Sequence, residues 1–321
     1  MILKPLIIIA GPTAVGKSHM AVLLAKKING EIISADSMQV YKGCDIGSAK
    51  ITKEEMSGIK HYLIDVYPPT ADYNVTVFQK MAKEAIEEIY SKGKIPIICG
   101  GTGFYIQSLL YDVDFEESQG EISEYRELLE KRYLSEGADV LFEELRKVDP
   151  KTCETIHKNN MKKVIRALEF YHETNTPFSE HNERMQAKSS VYDAAFFVLN
   201  DKRENIYEKI NKRVDLMMRD GLLEEVIGLK NSGLLKTNVS MQGLGYKELF
   251  LYLDDEISLE EAVDAIKQGS RHYAKRQITW FKREKDVIWV NLFEHEYSEE
   301  KILDYMLDCI SKKGLLNEQE G

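Results

Sequence analysis

Residues 11–18, Gly11-Pro12-Thr13-Ala14-Val15-Gly16-Lys17-Ser18, carry the spacing G-x-x-x-x-G-K-[ST] without a gap. Two glycines let successive backbone N–H groups turn inward and form a nest for phosphate oxygens. A helix starting near Lys17 would add its positive end to that nest. The Lys17 ammonium can then meet an outer phosphate, and the Ser18 hydroxyl can ligate Mg²⁺. The loop leaves the phosphate compound open. Nucleotide hydrolases and kinases usually add an Asp at the end of a second apolar strand. Asp36, after Ile32-Ile33-Ser34-Ala35, and Asp65, after Tyr62-Leu63-Ile64, are the candidates. The apolar run ending at Cys99 carries no acid and leads into Gly100-Gly101-Thr102-Gly103. On these residues alone, a small-molecule or nucleoside kinase fits as well as any other phosphate chemistry.

Such a loop works only between a strand and a helix, and the flanking sequence supplies both. Leu6–Ala10, Glu31–Ala35, His61–Val66 and Ile95–Gly100 read as β-strands, and Lys17–Ile28 and Val75–Lys92 have helical apolar spacing. This alternation predicts an α/β fold, P-loop NTPase-like, with a mostly parallel sheet flanked by helices. In such sheets ligands sit at the carboxyl ends of the strands. From 115 to 187 the chain turns rich in Glu, Lys and Arg, with helical patterns at Glu121–Ser135, Asp139–Lys147 and Asn160–Glu173. We read residues 115–187 as a smaller helical insertion domain within a core formed by 1–114 and 188–321. Ala194–Leu199 and Asp286–Asn291 read as strands returning to the sheet, and the rest of the second half as helices.

A chain of 321 residues with 43% hydrophobic and 30% charged residues has the balance of a globular protein. No apolar run reaches the roughly 18–20 residues that a membrane helix needs. The apolar run at the amino terminus feeds the glycine loop instead of a cleavage site, so a cytoplasmic protein is expected. The four cysteines are scattered, with no Cys-x-x-Cys pair and no Cys/His cluster, which argues against a local zinc site. Cys99, inside an apolar strand, is expected to pack. The net charge of −10 disfavours nucleic acid unless the basic residues are concentrated on one face.

Beyond the loop, further motifs follow in order: Ile33-Ser34-Ala35-Asp36-Ser37-Met38-Gln39-Val40-Tyr41, Gly43-Cys44-Asp45-Ile46-Gly47-Ser48-Ala49-Lys50, Gly100-Gly101-Thr102-Gly103 and Arg166-Ala167-Leu168-Glu169. Arg213-Val214, Gly243-Leu244-Gly245-Tyr246 and Lys275-Arg276-Gln277-Ile278-Thr279-Trp280-Phe281 complete the set. With the loop, this series resembles the bacterial tRNA dimethylallyltransferase family over nearly the whole chain. The carboxy-terminal stretch Asn317–Gly321 has no Cys or His, unlike the zinc-finger extension of eukaryotic members, which points to the bacterial type.

The resemblance implies transfer of a dimethylallyl group from dimethylallyl diphosphate to the exocyclic amine of an adenine beside the anticodon. Diphosphate, rather than a nucleotide triphosphate, then lies in the loop, with Mg²⁺. It implies Asp36 as the general base, Thr102 beside the departing oxygen, and Arg213 on the diphosphate. Without the resemblance, Asp36 is equally a Mg²⁺ ligand or helix cap, Thr102 a helix cap, and Arg213 a solvated helical residue. Asp36, Ser37, Met38 and Gln39, with Thr102, are the positions set against the anticodon stem-loop of the tRNA. Two basic patches are candidates for its backbone: Asn160, Lys162, Lys163 and Arg166, and then Arg271, Lys275, Arg276, Lys282 and Arg283. The resemblance further implies a monomer.

Overall fold

The computed structural model describes residues 3–113, 124–187 and 189–315. The chain forms two compact units, one of Met1–Leu110 with Ser190–Gly321 and one of Tyr111–Ser189.

The first unit is built on strands β1 (Pro5–Ala10), β2 (Gly30–Ala35), β3 (His61–Tyr62) and β4 (Ile95–Gly100), separated by helices α1 (Lys17–Ile28), α2 (Lys53–Met56) and α3 (Val75–Ser91). Helix α4 (Gly103–Leu110) closes this half. The sheet is six-stranded, in the order β3-β2-β4-β1-β5-β6, and every pair is parallel. Strands β5 (Asp193–Asn200) and β6 (Val287–Asn291) are those expected from the second half of the sequence. Ile7 and Ile9 pack with α1 residues Ala21, Leu24 and Ala25 on one face. On β5, Phe196 meets Phe281 edge-on at 6.1 Å. Both faces are covered, which is why β1 reads as an unbroken apolar run instead of an alternating one.

The third strand is shorter than expected. His61–Tyr62 pairs with Ile32 and Ile33, and then the chain leaves the sheet, with Leu63 and Asp65 in left-handed conformations at φ 60° and 57°. The backbone N–H groups of Asp65 and Val66 donate instead to Gln39 and Val40 carbonyls, each at 3.0 Å. An apolar pattern does not distinguish pairing with the sheet from pairing with a neighbouring loop. Here the segment braces the loop that follows β2.

After β5 come α10 (Arg203–Arg219) and α11 (Leu222–Asn231), then α12 (Tyr246–Leu253), α13 (Leu259–Phe281) and, beyond β6, α14 (Glu299–Lys312). The 23-residue helix α13 starts with a capping box in which Ser258 and Glu261 satisfy each other's backbone N–H.

The second unit is helical. Helices α5 (Glu124–Glu136), α6 (Ala138–Val148) and α8 (Met161–Thr174) are close to expectation, although Glu121–Ser123 of the expected first helix lie outside the described residues. Its core holds Leu129, Leu141, Leu145, Val164, Ile165 and Leu168. Helices α7 (Pro150–Thr155) and α9 (Phe178–Ala187) add to those expected from apolar spacing. Their signal is local: Asp149 caps α7, Pro150 takes its first position, and the same carboxylate accepts the Ser179 N–H at 2.8 Å.

Candidate active site at the sheet edge

Strands β2, β4 and β1 lie side by side, and their register places Ala35, Gly100 and Ala10 level with one another. The residues that follow each strand therefore emerge at one edge: Asp36 after β2, Gly101 and Thr102 after β4, and the glycine loop after β1. Gly100 has no room for a side chain, since a Cβ there would lie 2.2 Å from the Ala35 carbonyl oxygen. That close approach is what lets the acid and the hydroxyl share a site.

The loop runs from Gly11 into α1, with Gly16 at the helix cap at φ 99° and Ala14 also left-handed at φ 65°. A left-handed non-glycine residue is held only where its surroundings impose it. The Lys17 ammonium folds back onto the Pro12 carbonyl at 2.7 Å. Burial lowers its pKa to about 8, with Arg213 pushing the same way and Cys99 and Asp36 opposing. Arg213, on α10, is itself shifted down by burial, against the pull of Glu55 and Asp36. Its helix neighbours are otherwise engaged: Lys209 pairs with Asp201 at 2.9 Å and Lys212 with Glu208 at 2.6 Å. The loop, Asp36 and Arg213 thus share one electrostatic neighbourhood.

Asp36 is half-held. Its Oδ1 accepts the Met38 N–H at 2.8 Å and the Gln39 N–H at 3.3 Å, which caps the turn 37–40. Burial, reinforced by the Asp36 charge, pushes the Tyr273 hydroxyl up to about 12. Tyr73 and Tyr105 are raised in the same way, by burial first, and each also feels Asp36. Rings of Tyr41, Tyr73 and Tyr105 meet edge-on at 6.0–6.2 Å and form an aromatic wall. Sequence reasoning misses Tyr73 and Tyr105, which lie in stretches without any motif.

Thr102 takes the cap position before α4, where its backbone carbonyl accepts from Tyr105 and Ile106. Its hydroxyl does no capping: it is buried without a hydrogen-bond partner of good geometry, with the Tyr273 hydroxyl near it. An unpaired hydroxyl in a buried setting is costly, and such atoms belong where a ligand completes them.

Gln39 differs from expectation in part. Its Nε2 donates to the Ser48 and Ala49 carbonyls at 3.4 and 3.3 Å, so the amide ties two loops together and only Oε1 remains available. That second loop is clamped by Glu225, whose carboxylate accepts the N–H groups of Asp45, Ile46 and Gly47 at 2.7–3.1 Å and the Tyr246 hydroxyl at 2.7 Å. Met38 lies over Gly243, where a Cβ would meet its Cε at 2.6 Å. Ser37 is half-buried beside it.

Lys275 and Arg276 on α13, and Lys282 and Arg283 in the turn after it, are exposed, and His272, Lys275, Arg276, Thr279, Trp280 and Arg283 line an open groove. The Trp280 indole N–H is buried and unpaired there. Arg271 is less free, since its guanidinium donates to Asn211 at 2.6 Å. In the second unit Lys162, Lys163 and Arg166 are exposed on α8, while Asn160 caps that helix by accepting the Lys163 N–H at 3.4 Å.

Among the described residues no group of three or more His, Cys, Asp or Glu side chains could hold a metal. Mg²⁺ does not need one, because it is commonly bound through few protein ligands plus phosphate oxygens and water. The Ser18 hydroxyl at the start of α1 fits that pattern. Asp65, the other acid considered, is engaged by Lys50 at 2.9 Å.

The model of the IPP transferase family matches residues 39–284. This chain belongs to that family. IPP transferase relatives include a tRNA dimethylallyltransferase of Lachnoclostridium phytofermentans, 52% identical over 314 residues and covering 98% of this chain and 100% of the relative. A tRNA dimethylallyltransferase of Bacillus cereus is 47% identical over 95% of each chain. The crystal structure of a tRNA delta(2)-isopentenylpyrophosphate transferase from Staphylococcus epidermidis superposes with a TM-score of 0.71 at 43% identity, covering 96% of this chain and 99% of that one. A eukaryotic dimethylallyltransferase acting on tRNA gives 0.80 at 30% identity over 99% of this chain and 81% of its own.

Proposed function

We propose that this chain transfers a dimethylallyl group from dimethylallyl diphosphate to the N6 amine of the adenine 3′-adjacent to the anticodon in tRNA, releasing diphosphate. The observation that carries the reading is the delivery of a phosphate nest, an unpaired hydroxyl and a half-held carboxylate to one sheet edge, in a member of the IPP transferase family. The relatives named above are tRNA dimethylallyltransferases and not phosphoryl transferases, which leaves the kinase alternative without support.

In this reading the allylic carbon–oxygen bond breaks with its electron pair leaving on diphosphate. The amine nitrogen forms the new bond to that carbon, and its proton passes to Asp36. With Oδ1 already occupied by two backbone N–H groups, Oδ2 is the oxygen left to receive it. The departing oxygen gathers negative charge, and the Thr102 hydroxyl, Lys17 and Arg213 are the groups suited to stabilise it. Mg²⁺, held by Ser18 and the diphosphate, would add to that charge stabilisation. Ser37, Met38 and Gln39 would meet the base taken out of its stack. The exposed cations of α13 and of the turn after it, and those of α8 with Asn160, would bind the tRNA backbone. We take the enzyme to be a cytoplasmic monomer; no helix among the described residues is long and apolar enough to cross a membrane.

Single-turnover transfer from labelled dimethylallyl diphosphate to unmodified tRNA tests the reading. Label on the tRNA is expected. Unlabelled tRNA, together with transfer of the γ-phosphate of ATP to a small molecule, would return the kinase alternative.

A further inference from the structure

Gln277 stands on the inner face of α13, between Ala274 and Phe281, and is 5% exposed. Its Oε1 accepts the Thr13 N–H of the phosphate loop at 2.8 Å, and its Nε2 donates to the Gly101 carbonyl at 3.0 Å. The contact is tight, since a Cβ on Gly101 would lie 2.0 Å from that nitrogen. One side chain thus bridges the loop that follows β1 and the residue before Thr102.

The chemistry of this bridge is demanding. Thr13 offers a donor and Gly101 an acceptor, so the bridging group must be acceptor and donor at once, at the right length. A carboxamide meets this; an ionised carboxylate has two acceptors, an ammonium only donors, and a thioether almost neither. The amide also takes the Thr13 N–H out of the nest, so the amides nearer the start of α1 are the ones left for phosphate.

We infer that Gln277 is a positioning residue for prenyl transfer: by clipping the phosphate loop to Gly101 it sets the distance between the bound diphosphate and the Thr102 hydroxyl. The inference rests on the proposed function for its reaction, while the clip itself concerns the diphosphate loop. A misplacement of about 1 Å at a reacting centre can cost on the order of 10²-fold in rate. Gln277 touches neither the leaving group nor the amine in this account, and acts through Thr13 and Thr102.

The test compares wild type with Gln277→Glu and Gln277→Met by single-turnover transfer between about pH 5 and pH 8, a range in which a buried carboxyl with a raised pKa titrates. A protonated carboxyl has one O–H donor and one carbonyl acceptor and so restores the bridge; the ionised form loses the bond to Gly101. Gln277→Glu should therefore be about 10²-fold slow at pH 8 and recover towards wild type as the pH falls, when its rate is divided by that of wild type at each pH. Gln277→Met, of similar size, should stay slow throughout. Recovery by protonation also shows that the variant is folded. A Gln277→Glu rate ratio that is flat with pH, or equal to one at pH 8, overturns the inference. Calorimetric binding of inorganic diphosphate reads the clip without the transfer reaction. Weakening by about tenfold in Gln277→Met is expected from a disordered nest, and unchanged affinity overturns the inference. If wild type leaves tRNA unlabelled while Gln277→Met still weakens diphosphate binding, the proposed reaction fails and the loop clip stands.

Discussion

The backbone N–H of Thr102 donates to the carbonyl of Ala35 at 3.3 Å, so the hydroxyl-bearing residue is tied to the residue that directly precedes Asp36. Acid and hydroxyl are thus separated by main-chain geometry, across strands already in register, and side-chain freedom adds little to that separation. A site for moving a proton from one atom while a negative oxygen departs from another needs that fixed spacing.

Asp36→Ala should slow single-turnover transfer by about 10²–10⁴-fold, the range of a positioned general base. Because Oδ1 caps the turn 37–40, the alanine variant should also bind tRNA less well. Asp36→Asn keeps an oxygen for the turn and should separate the two effects: the rate falls, while tRNA affinity by filter binding stays near that of wild type. An Asp36→Asn rate equal to that of wild type would reduce Asp36 to a turn residue.

Thr102→Val removes the hydroxyl and keeps the shape. Since that oxygen has no partner in the fold, the melting temperature should hold or rise. Turnover should drop by about 10²-fold, on the scale of losing one donor to a developing anion. A destabilised variant of undiminished rate would assign the hydroxyl to the fold.

Lys17 sets a pH dependence for diphosphate binding. The free ammonium titrates at about pH 8, and bound diphosphate must raise that value because its charge favours the protonated form. Affinity should therefore be full below pH 8 and fall by up to about tenfold per unit above it, until the bound-state pKa is passed. Lys17→Met should bind weakly and lack this alkaline fall. Isothermal titration at several pH values reads both.

Binding of tRNA should weaken as salt rises, and each of Lys275→Ala, Arg276→Ala and Arg283→Ala should reduce the log–log salt slope by about 0.7–0.9 if that side chain meets a phosphate. A surface cation far from the tRNA leaves the slope unchanged. Arg271→Ala should change it least, as its guanidinium is already spent on Asn211.

At the opposite end of β2, Glu31 is buried among Lys94, Tyr62 and Lys92. Burial works against its ionisation, but the hydrogen bonds from those three outweigh it and hold its pKa below the ordinary 4.5. A depressed carboxylate stabilises the fold above its unfolded-state pKa and loses that contribution as pH falls through the folded value. The carboxamide of Glu31→Gln cannot titrate. The unfolding free energy of that variant, measured with denaturant, should be lower than wild type at neutral pH and depend less on pH below about 4.5.

Much of this site is legible in the amino-acid sequence because its parts are contiguous. The glycine loop is a local motif between a strand and a helix, and Asp36 and Thr102 follow apolar runs that end at a parallel sheet's binding edge. What escapes is pairing across long separations. Gln277 and Thr13 are 264 residues apart, and although Gln277 lies in the motif Lys275–Phe281, nothing local marks its partner beyond a polar residue on a helix stripe otherwise set by Ala274 and Phe281. Glu225 is hidden in the same way, as one of two adjacent acids in the first turn of α11. The third strand is overread for the opposite reason: an apolar run says that a segment is covered, and not by what.

The contact between Lys17 and the Pro12 carbonyl has a meaning for turnover. A cation in a desolvated pocket grips an anionic product, and slow departure of that product is a common brake on enzymes. Here the ammonium has a neutral oxygen 2.7 Å away that can take it back as diphosphate leaves. The ammonium is thereby spared standing bare and buried whenever no anion fills the loop.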